Sequence, residues 1–174
     1  MKVLVACEYS GVVRRAFRKL GHLAYSCDIL PADDESNFHY TDDVREVLDL
    51  GWDLMIAHPP CTYLTNSGVC HLHKDESRWA KLDEGCNFFK ELLNAPIDKI
   101  CIENPIPHKY AVERIGGIKY SQIVQPWMFG HTETKATCLW LKNLPKLTET
   151  NNVREEMKKL PKNQQQRLHY LPPS

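Results

Sequence analysis

The chain has 174 residues, of which 22 are Lys or Arg and 22 are Asp or Glu, so its formal net charge is zero. This balance excludes an overall basic surface, and a nucleic-acid partner would need a local basic patch. No apolar run approaches the length of a membrane span, so we expect no membrane association. The seven cysteines have no paired spacing, which favours the reducing cytoplasm over a disulfide framework.

In chain order, apolar strand patterns alternate with amphipathic helix patterns. The first predicted elements are a strand at 3–6, a helix capped by Ser10 and ended at Gly21, a strand at 23–29, a loop at 31–40, a short helix opened by Asp42 and Asp43, and a strand at 52–57. Those that follow are a helix at 76–94, a strand at 99–103, a helix at 107–115 and a strand at 136–141. The chain is polar and weakly patterned beyond Pro145, so we predict a domain over 1–147 and a C-terminal tail over 148–174.

Strands that alternate with helices predict an α/β fold, in which a mostly parallel central sheet has helices on both faces. Side chains capable of chemistry follow several of the predicted strands: Glu8, Asp28, Cys61 and Glu103. The carboxyl ends of parallel strands meet at one edge of such a sheet, where open α/β folds bind ligands. We therefore predict a functional site at this edge.

Cys61 follows two prolines at the end of the predicted strand 52–57. Prolines cannot continue a central strand, so the strand should stop near His58 and leave Cys61 on a stiff loop. A thiol in this place can act as a nucleophile, and a helix terminus or a nearby cation would lower its pKa. The alternative is the commoner role of a cysteine, that of a small buried apolar side chain.

Two motifs resemble those of the S-adenosylmethionine-dependent DNA cytosine-5 methyltransferases and occur in that family's order. The segment Pro-Cys-Thr-Tyr-Leu-Thr-Asn-Ser-Gly at 60–68 is similar to the catalytic loop of the family. Ile-Glu-Asn-Pro at 102–105 looks like its Glu-Asn-Val element, with proline in place of valine. The resemblance extends over about residues 3–141 and implies a Rossmann-like class I methyltransferase fold.

The resemblance implies methyl transfer from S-adenosylmethionine to C5 of a cytosine in DNA. Cys61 would be the nucleophile that adds to C6 of the base, and Glu103 would bind the N3 and amine edge. Pro60, Asn104 and Lys135 are implied to lie on the substrate side, with Lys135 in the place of a basic element of the family. A cytosine within duplex DNA has to be flipped out to reach these groups.

The implied cofactor-binding residues are Glu8, Ser10, Gly11, Asp28, Ile29 and Asp43. The first three belong to a turn that has the shape of a nucleotide-binding turn but lacks the G-x-G-x-x-G spacing. Asp28 would bind the ribose hydroxyls, Ile29 the adenine face and Asp43 the adenine amine. On the local pattern alone, Asp28 can equally be a solvated carboxylate, and Asp43 can be the cap of a helix.

No separate target-recognition domain is recognisable after Leu141, so the chain resembles a short form of the family. A truncated chain, a partner protein that supplies target recognition, or a smaller substrate would each explain this. Two other functions stay open: methylation of a free or modified pyrimidine nucleotide, and a non-catalytic regulator that binds nucleic acid or protein. We predict no metal site, because Cys70, His71 and His73 match no standard zinc spacing.

Overall fold

Short apolar segments form a single mixed sheet within residues 1–169, which are the residues that the computed structural model describes. The strands are β1 Lys2–Ala6, β2 Leu23–Asp28, β3 His39–Thr41, β4 Leu54–Ala57, β5 Lys99–Pro105, β6 Gln122–Val124 and β7 Thr137–Lys142. Their order across the sheet is β3-β2-β1-β4-β5-β7-β6. The pairs among β1 to β5 are parallel, whereas β7 is antiparallel to both β5 and β6. The sheet is therefore mostly parallel, as predicted.

Helices cover both faces of the sheet because its central strands are apolar on both sides. The helices are α1 Val12–Lys19, α2 Ser77–Leu93, α3 Lys109–Arg114, α4 Arg154–Lys159 and α5 Lys162–Gln165. On one face, Phe17 of α1 packs against Val3 and Leu54. On the other face, Leu82 and Phe89 of α2 belong to the larger hydrophobic core. The predicted fold class, α/β with helices on both faces of the sheet, is confirmed.

The sequence does not predict the two edge strands of the sheet. β3 has three residues and begins inside the segment predicted as a loop over 31–40, so that prediction is wrong at its end. β6, at the opposite edge, also has three residues. A strand of this length carries too little periodicity to be recognised in a sequence, and pairing with a neighbouring strand defines it.

The start of α1 also differs from the prediction. Ser10 is not its N-cap; Gly11 is, with a φ of 68° in the left-handed region that glycine adopts at least cost. The Glu8 carboxylate does the capping, since it accepts hydrogen bonds from the backbone N–H groups of Val13 at 2.6 Å and Arg14 at 3.2 Å. A carboxylate in this place also stabilises the positive end of the helix.

The segment after residue 147 packs against the rest of the described chain at several points. It contains α4 and α5, and Met157 of α4 is buried. Further along, Arg167 forms an ion pair with Glu133. The boundary between a domain and a tail at residue 147 stays a prediction. Within residues 1–169, no helix is both long enough and apolar enough to cross a membrane.

Candidate active site

Two adjoining cavities lie beside the carboxyl ends of the parallel strands. The larger, of about 560 Å³, is called here the Cys61 cavity, and its wall includes Glu8, Ser10, His58, Pro60, Cys61, Glu103, Asn104 and Lys135. The smaller, of about 240 Å³, is called the Asp28 pocket, and its wall includes Asp28, Ile29, Asp43, Arg45 and Phe88. Cys7 and Pro60 line both. The fold thus gathers the predicted catalytic and substrate residues in one cavity, and three predicted cofactor residues in its neighbour.

Hydrogen bonds from neighbouring elements fix the loop that carries Cys61. The backbone N–H of His58 donates to Ala6 O at 3.0 Å, which extends the pairing of β4 with β1 by one residue. Pro59 and Pro60 then end the strand, as predicted. The side-chain amide of Asn104 on β5 donates to the carbonyl oxygen of Pro59 at 3.1 Å. A contact from the adjacent strand therefore holds the loop directly before Cys61.

The loop is also anchored after Cys61. Cys61 O accepts hydrogen bonds from the backbone N–H groups of Leu64 at 3.0 Å and Thr65 at 3.2 Å, which closes a tight turn. The imidazole Nε2 of His108, the N-cap residue of α3, lies 2.8 Å from Tyr63 O. Because both sides of the loop are anchored, contacts with neighbouring elements determine the position of the Cys61 thiol.

The electrostatic surroundings of Cys61 include charges of both signs. Burial raises the pKa of the thiol above its usual value, and the negative charge of Glu103 raises this pKa further. Lys135 acts in the opposite direction, as does a backbone hydrogen bond. The lowering that a nearby cation could give is outweighed, because the sheet places Cys61 beside a carboxylate and Lys135 does not compensate for it.

Glu103 and Asn104 are consecutive residues of β5 with different surroundings. The Glu103 side chain is 28% exposed, and its Oε2 lies 3.2 Å from Nδ1 of His58. Asn104 is only 2% exposed. Its amide nitrogen binds the Cys61 loop, whereas its Oδ1 is buried without a hydrogen-bond partner among residues 1–169. The wall of the cavity therefore contains a buried acceptor that lacks a donor.

Lys135 lies on the segment between β6 and β7. Its backbone N–H donates to Oε1 of Gln125 at 2.9 Å. Beside it, Glu133 pairs with Arg167 and is almost fully buried. These contacts anchor the segment from both sides, and the Lys135 side chain reaches the wall of the Cys61 cavity.

The three predicted cofactor residues of the first turn do not line the Asp28 pocket, where Asp28, Ile29 and Asp43 lie. Glu8 and Ser10 line the Cys61 cavity, while Gly11 is the N-cap of α1. A Cβ atom at Gly11 would collide with the guanidinium group of Arg14. Arg14 itself is buried and pairs with Asp34. The turn is thus fixed by glycine and by the buried Arg14 behind it.

The wall of the Asp28 pocket combines carboxylates with apolar side chains. Oδ1 of Asp28 accepts a hydrogen bond from the backbone N–H of Leu30 at 3.0 Å. Ile29 is 76% exposed and forms part of the wall. Asp43 caps the short 3₁₀ helix Val44–Val47 and accepts bonds from both the backbone and the guanidinium of Arg45. These bonds keep the pKa of Asp43 below its usual value, so its carboxylate stays ionised.

Sequence reasoning missed two residues that shape these cavities. Arg45 fixes the carboxylate of Asp43, and its guanidinium lies 4.6 Å from the ring centroid of Phe88. Cys7 lies between the cavities with a φ of 59°, a left-handed conformation that is rare for a residue other than glycine. Burial, then the charge of Asp28, raise the pKa of Cys7 to about 12. In the sequence, the only signal for Cys7 is that this turn lacks the glycines of a glycine-rich nucleotide-binding turn.

No cluster of three or more metal-binding side chains occurs among the residues that the structure describes. The sequence matches no protein-family model and no curated protein. Solved structures with the same fold do exist, and the chain spans just over half the length of those given below, between 54% and 57%.

One is a protein described as a DNA modification methyltransferase encoded within an E. coli prophage, at 16% identity and a TM-score of 0.51, with 92% of this chain and 55% of that chain covered. A second is the Entamoeba histolytica methyltransferase EhMeth, at 14% identity and a TM-score of 0.56, with 87% and 57% covered. A third is the Dnmt2 methyltransferase of S. pombe, at 16% identity and a TM-score of 0.50, with 91% and 54% covered. Together with the sheet order, these likenesses define the fold as a Rossmann-like methyltransferase fold.

Proposed function

We propose that this protein transfers a methyl group from S-adenosylmethionine to C5 of cytosine in DNA, through a covalent adduct at Cys61. One observation carries the proposal: a thiol and a carboxyl group, Cys61 and Glu103, share one cavity, and that cavity adjoins a pocket with two carboxylates. The methyltransferase fold and the resemblance of the two motifs support the same chemistry.

The donors and acceptors of the Asp28 pocket suit an adenosine group. The Asp28 carboxylate can accept hydrogen bonds from a ribose diol, and the ionised Asp43 can accept one from the adenine amine. Ile29, Pro60 and Phe88 offer apolar surface for the ring. S-adenosylmethionine, when bound, supplies an electrophilic methyl group, and Glu8 and Ser10 would lie toward its amino-acid portion.

Cys61 would perform the covalent step as a thiolate. Its sulfur forms a bond to C6 of the cytosine, and the electron pair of the C5–C6 double bond makes C5 nucleophilic. C5 would then bond to the methyl group of S-adenosylmethionine, whose sulfur would keep the electron pair of the broken C–S bond, and solvent water would take the C5 proton. The electron pair of that C–H bond restores the double bond, and the thiolate leaves. Because burial and Glu103 raise the pKa of Cys61, the thiolate is a minor species at neutral pH, and Lys135 favours it.

Glu103 would stabilise the charge that develops on the base. Its carboxyl group binds the N3 and exocyclic amine edge, and protonation at N3 becomes favourable as C6 is attacked. Asn104 holds Pro59 and so keeps the thiol in place. In duplex DNA the target cytosine must leave the helix, and a cavity of about 560 Å³ has room for a single flipped base.

A mechanism-based trap tests the proposal. The protein is incubated with labelled S-adenosylmethionine and DNA that contains 5-fluorocytosine, which blocks the loss of the C5 substituent and retains the adduct. We expect a covalent complex at Cys61 in the wild type and none in Cys61→Ala. Cys70→Ala, which alters an exposed cysteine, is the matched control and should form the complex. Methyl transfer by Cys61→Ala at the wild-type rate would contradict the proposal. Transfer to free cytosine nucleotides but not to DNA would contradict the choice of substrate.

A further inference from the structure

A histidine that the proposed chemistry does not use lies against Glu103. Ala57, the last residue of β4, pairs with Ile102 of β5. His58 follows Ala57, and Glu103 follows Ile102. The two parallel strands therefore present His58 and Glu103 side by side at the same level of the sheet. Nδ1 of His58 lies 3.2 Å from Oε2 of Glu103, and both residues line the Cys61 cavity. The parallel register of β4 and β5 therefore brings the two side chains into contact.

The surroundings of the imidazole determine which nitrogen holds the proton. Nε2 of His58 is buried and has no hydrogen-bond partner among residues 1–169. This nitrogen lacks a partner among the described residues in either tautomer, so the choice depends on Nδ1, whose lone pair would face the Glu103 carboxylate oxygen if the proton were on Nε2. A proton on Nδ1, by contrast, can be donated to Oε2 of Glu103. Of the two neutral tautomers, the geometry thus favours the one with its proton on Nδ1.

We propose that His58 is a positioning residue for Glu103, a role that rests on the proposed function. By donating to Oε2, the imidazole fixes the rotation of the carboxyl group and satisfies one of its two oxygens. The contact engages Oε2 and leaves Oε1 for the cytosine edge. A carboxyl group held in one orientation before the substrate binds loses less freedom in the transition state.

The contact between His58 and Glu103 also bears on the charges that act on Cys61. Glu103, Cys61 and Lys135 line the same cavity as His58, and Glu8 lies on the wall formed by the first turn. A neutral imidazole gives Glu103 a hydrogen bond and leaves its negative charge in place. His58 therefore orients the carboxylate without removing the charge that acts on Cys61.

Two substitutions of His58 separate orientation from simple packing. In His58→Asn, the side-chain amide N–H can occupy the place of Nδ1–H. In His58→Leu, a side chain that also fills space has no donor. We expect kcat for methyl transfer to fall about 100-fold in His58→Leu, the cost of misplacing a catalytic group by about 1 Å, and KM for S-adenosylmethionine to stay unchanged. His58→Asn should recover most of the lost kcat.

The outcomes distinguish this inference from the proposed function. An active wild type together with a fully active His58→Leu overturns the positioning role and leaves the proposed function intact. Failure of His58→Asn to recover kcat, while its melting temperature matches that of the wild type, also overturns it. A wild type that forms no methylated product overturns the proposed function, and the role of His58 falls with it.

A spectroscopic measurement tests the geometry without any activity. In protein labelled with ¹⁵N at histidine, the two ring nitrogens of a neutral imidazole have distinct chemical shifts, which show which one bears the proton. We expect His58, assigned by comparison with His58→Asn, to carry its proton on Nδ1. A proton on Nε2, or on both nitrogens at neutral pH, would overturn the inference even if His58→Leu did not fold.

Discussion

The two adjoining cavities differ in how their polar side chains are satisfied. In the Asp28 pocket, Asp28 accepts a backbone hydrogen bond and Asp43 is bound twice by Arg45. In the Cys61 cavity, Oδ1 of Asn104 and Nε2 of His58 are buried without partners among residues 1–169. The protein itself holds the acceptors of the Asp28 pocket in place, whereas the Cys61 cavity contains buried polar atoms that lack a partner in the described part of the chain.

This contrast indicates different tasks for the two cavities. A pocket whose carboxylates are already oriented can bind a ligand with little rearrangement, as expected of a cofactor site. Buried polar atoms without partners cost folding free energy, about 1–3 kcal/mol each, and they concentrate where function requires them. The partnerless atoms of the Cys61 cavity fit the proposed function, in which substrate and reacting groups would meet there.

The strongest test of this comparison removes the bond between Asn104 and the Cys61 loop. Asn104→Leu keeps the volume of the side chain but loses the donor to Pro59 O. We expect kcat for methyl transfer to fall about 100-fold, because the loop before Cys61 is no longer held. The affinity for S-adenosylmethionine, measured by calorimetry, should change less than about twofold. A loss of affinity as large as the loss of kcat would show that the two cavities are not separate in function.

Much of the fold and part of the site could be predicted from the sequence, for a shared physical reason. The central strands are short and uniformly apolar because both faces are covered, and this pattern is visible without a structure. β2 ends at Asp28, Cys61 follows β4 after a short loop, and Glu103 lies near the end of β5, so parallel pairing brings these residues to one edge. Cys61 and Glu103 therefore share a cavity, as predicted, and Asp28 lines the adjoining pocket.

The properties that could not be predicted depend on contacts between distant residues. The capping of α1 by Glu8 requires the left-handed turn at Gly11. The raised pKa of Cys61 depends on the depth of burial and on Glu103, which is 42 residues away in the chain. The pairing of His58 with Glu103 depends on strand register. None of these has a local pattern, because side-chain placement follows from tertiary packing.

A second prediction concerns the pre-arranged acceptor of the Asp28 pocket. Arg45→Met removes the guanidinium that binds Asp43, so the carboxylate gains rotational freedom and its pKa rises toward the usual value. We expect the affinity for S-adenosylmethionine to weaken about tenfold, or about 1.4 kcal/mol, with kcat at saturating cofactor unchanged. Arg154→Met, which removes a guanidinium 5.1 Å from the Trp127 ring, is the matched control and should leave the affinity as it is. Equal affinity in Arg45→Met and wild type would refute the role given to Arg45.

The smallest expected effect is on the reactivity of the Cys61 thiol. Measuring this reactivity in charge variants compares the influence of the two cavities directly. The rate at which iodoacetamide alkylates Cys61, followed across pH by mass spectrometry, reports its thiolate fraction. Glu103 raises the pKa of Cys61, so Glu103→Gln should shift the alkylation midpoint to lower pH and raise the rate at pH 8 about threefold. Lys135 lowers this pKa, so Lys135→Met should shift the midpoint to higher pH and slow the reaction.

The Asp28 pocket provides the control for this titration. Asp28 is not among the charges that act on Cys61, whereas it does raise the pKa of Cys7. Asp28→Asn should therefore leave the midpoint of Cys61 in place and shift that of Cys7 to lower pH. If Asp28→Asn moved Cys61 as far as Glu103→Gln does, the charges of the two cavities would act as one field. The carboxylate of Glu103 would then act on Cys61 no more strongly than the carboxylate of the adjoining pocket does, and the electrostatic distinction between the two cavities would fail.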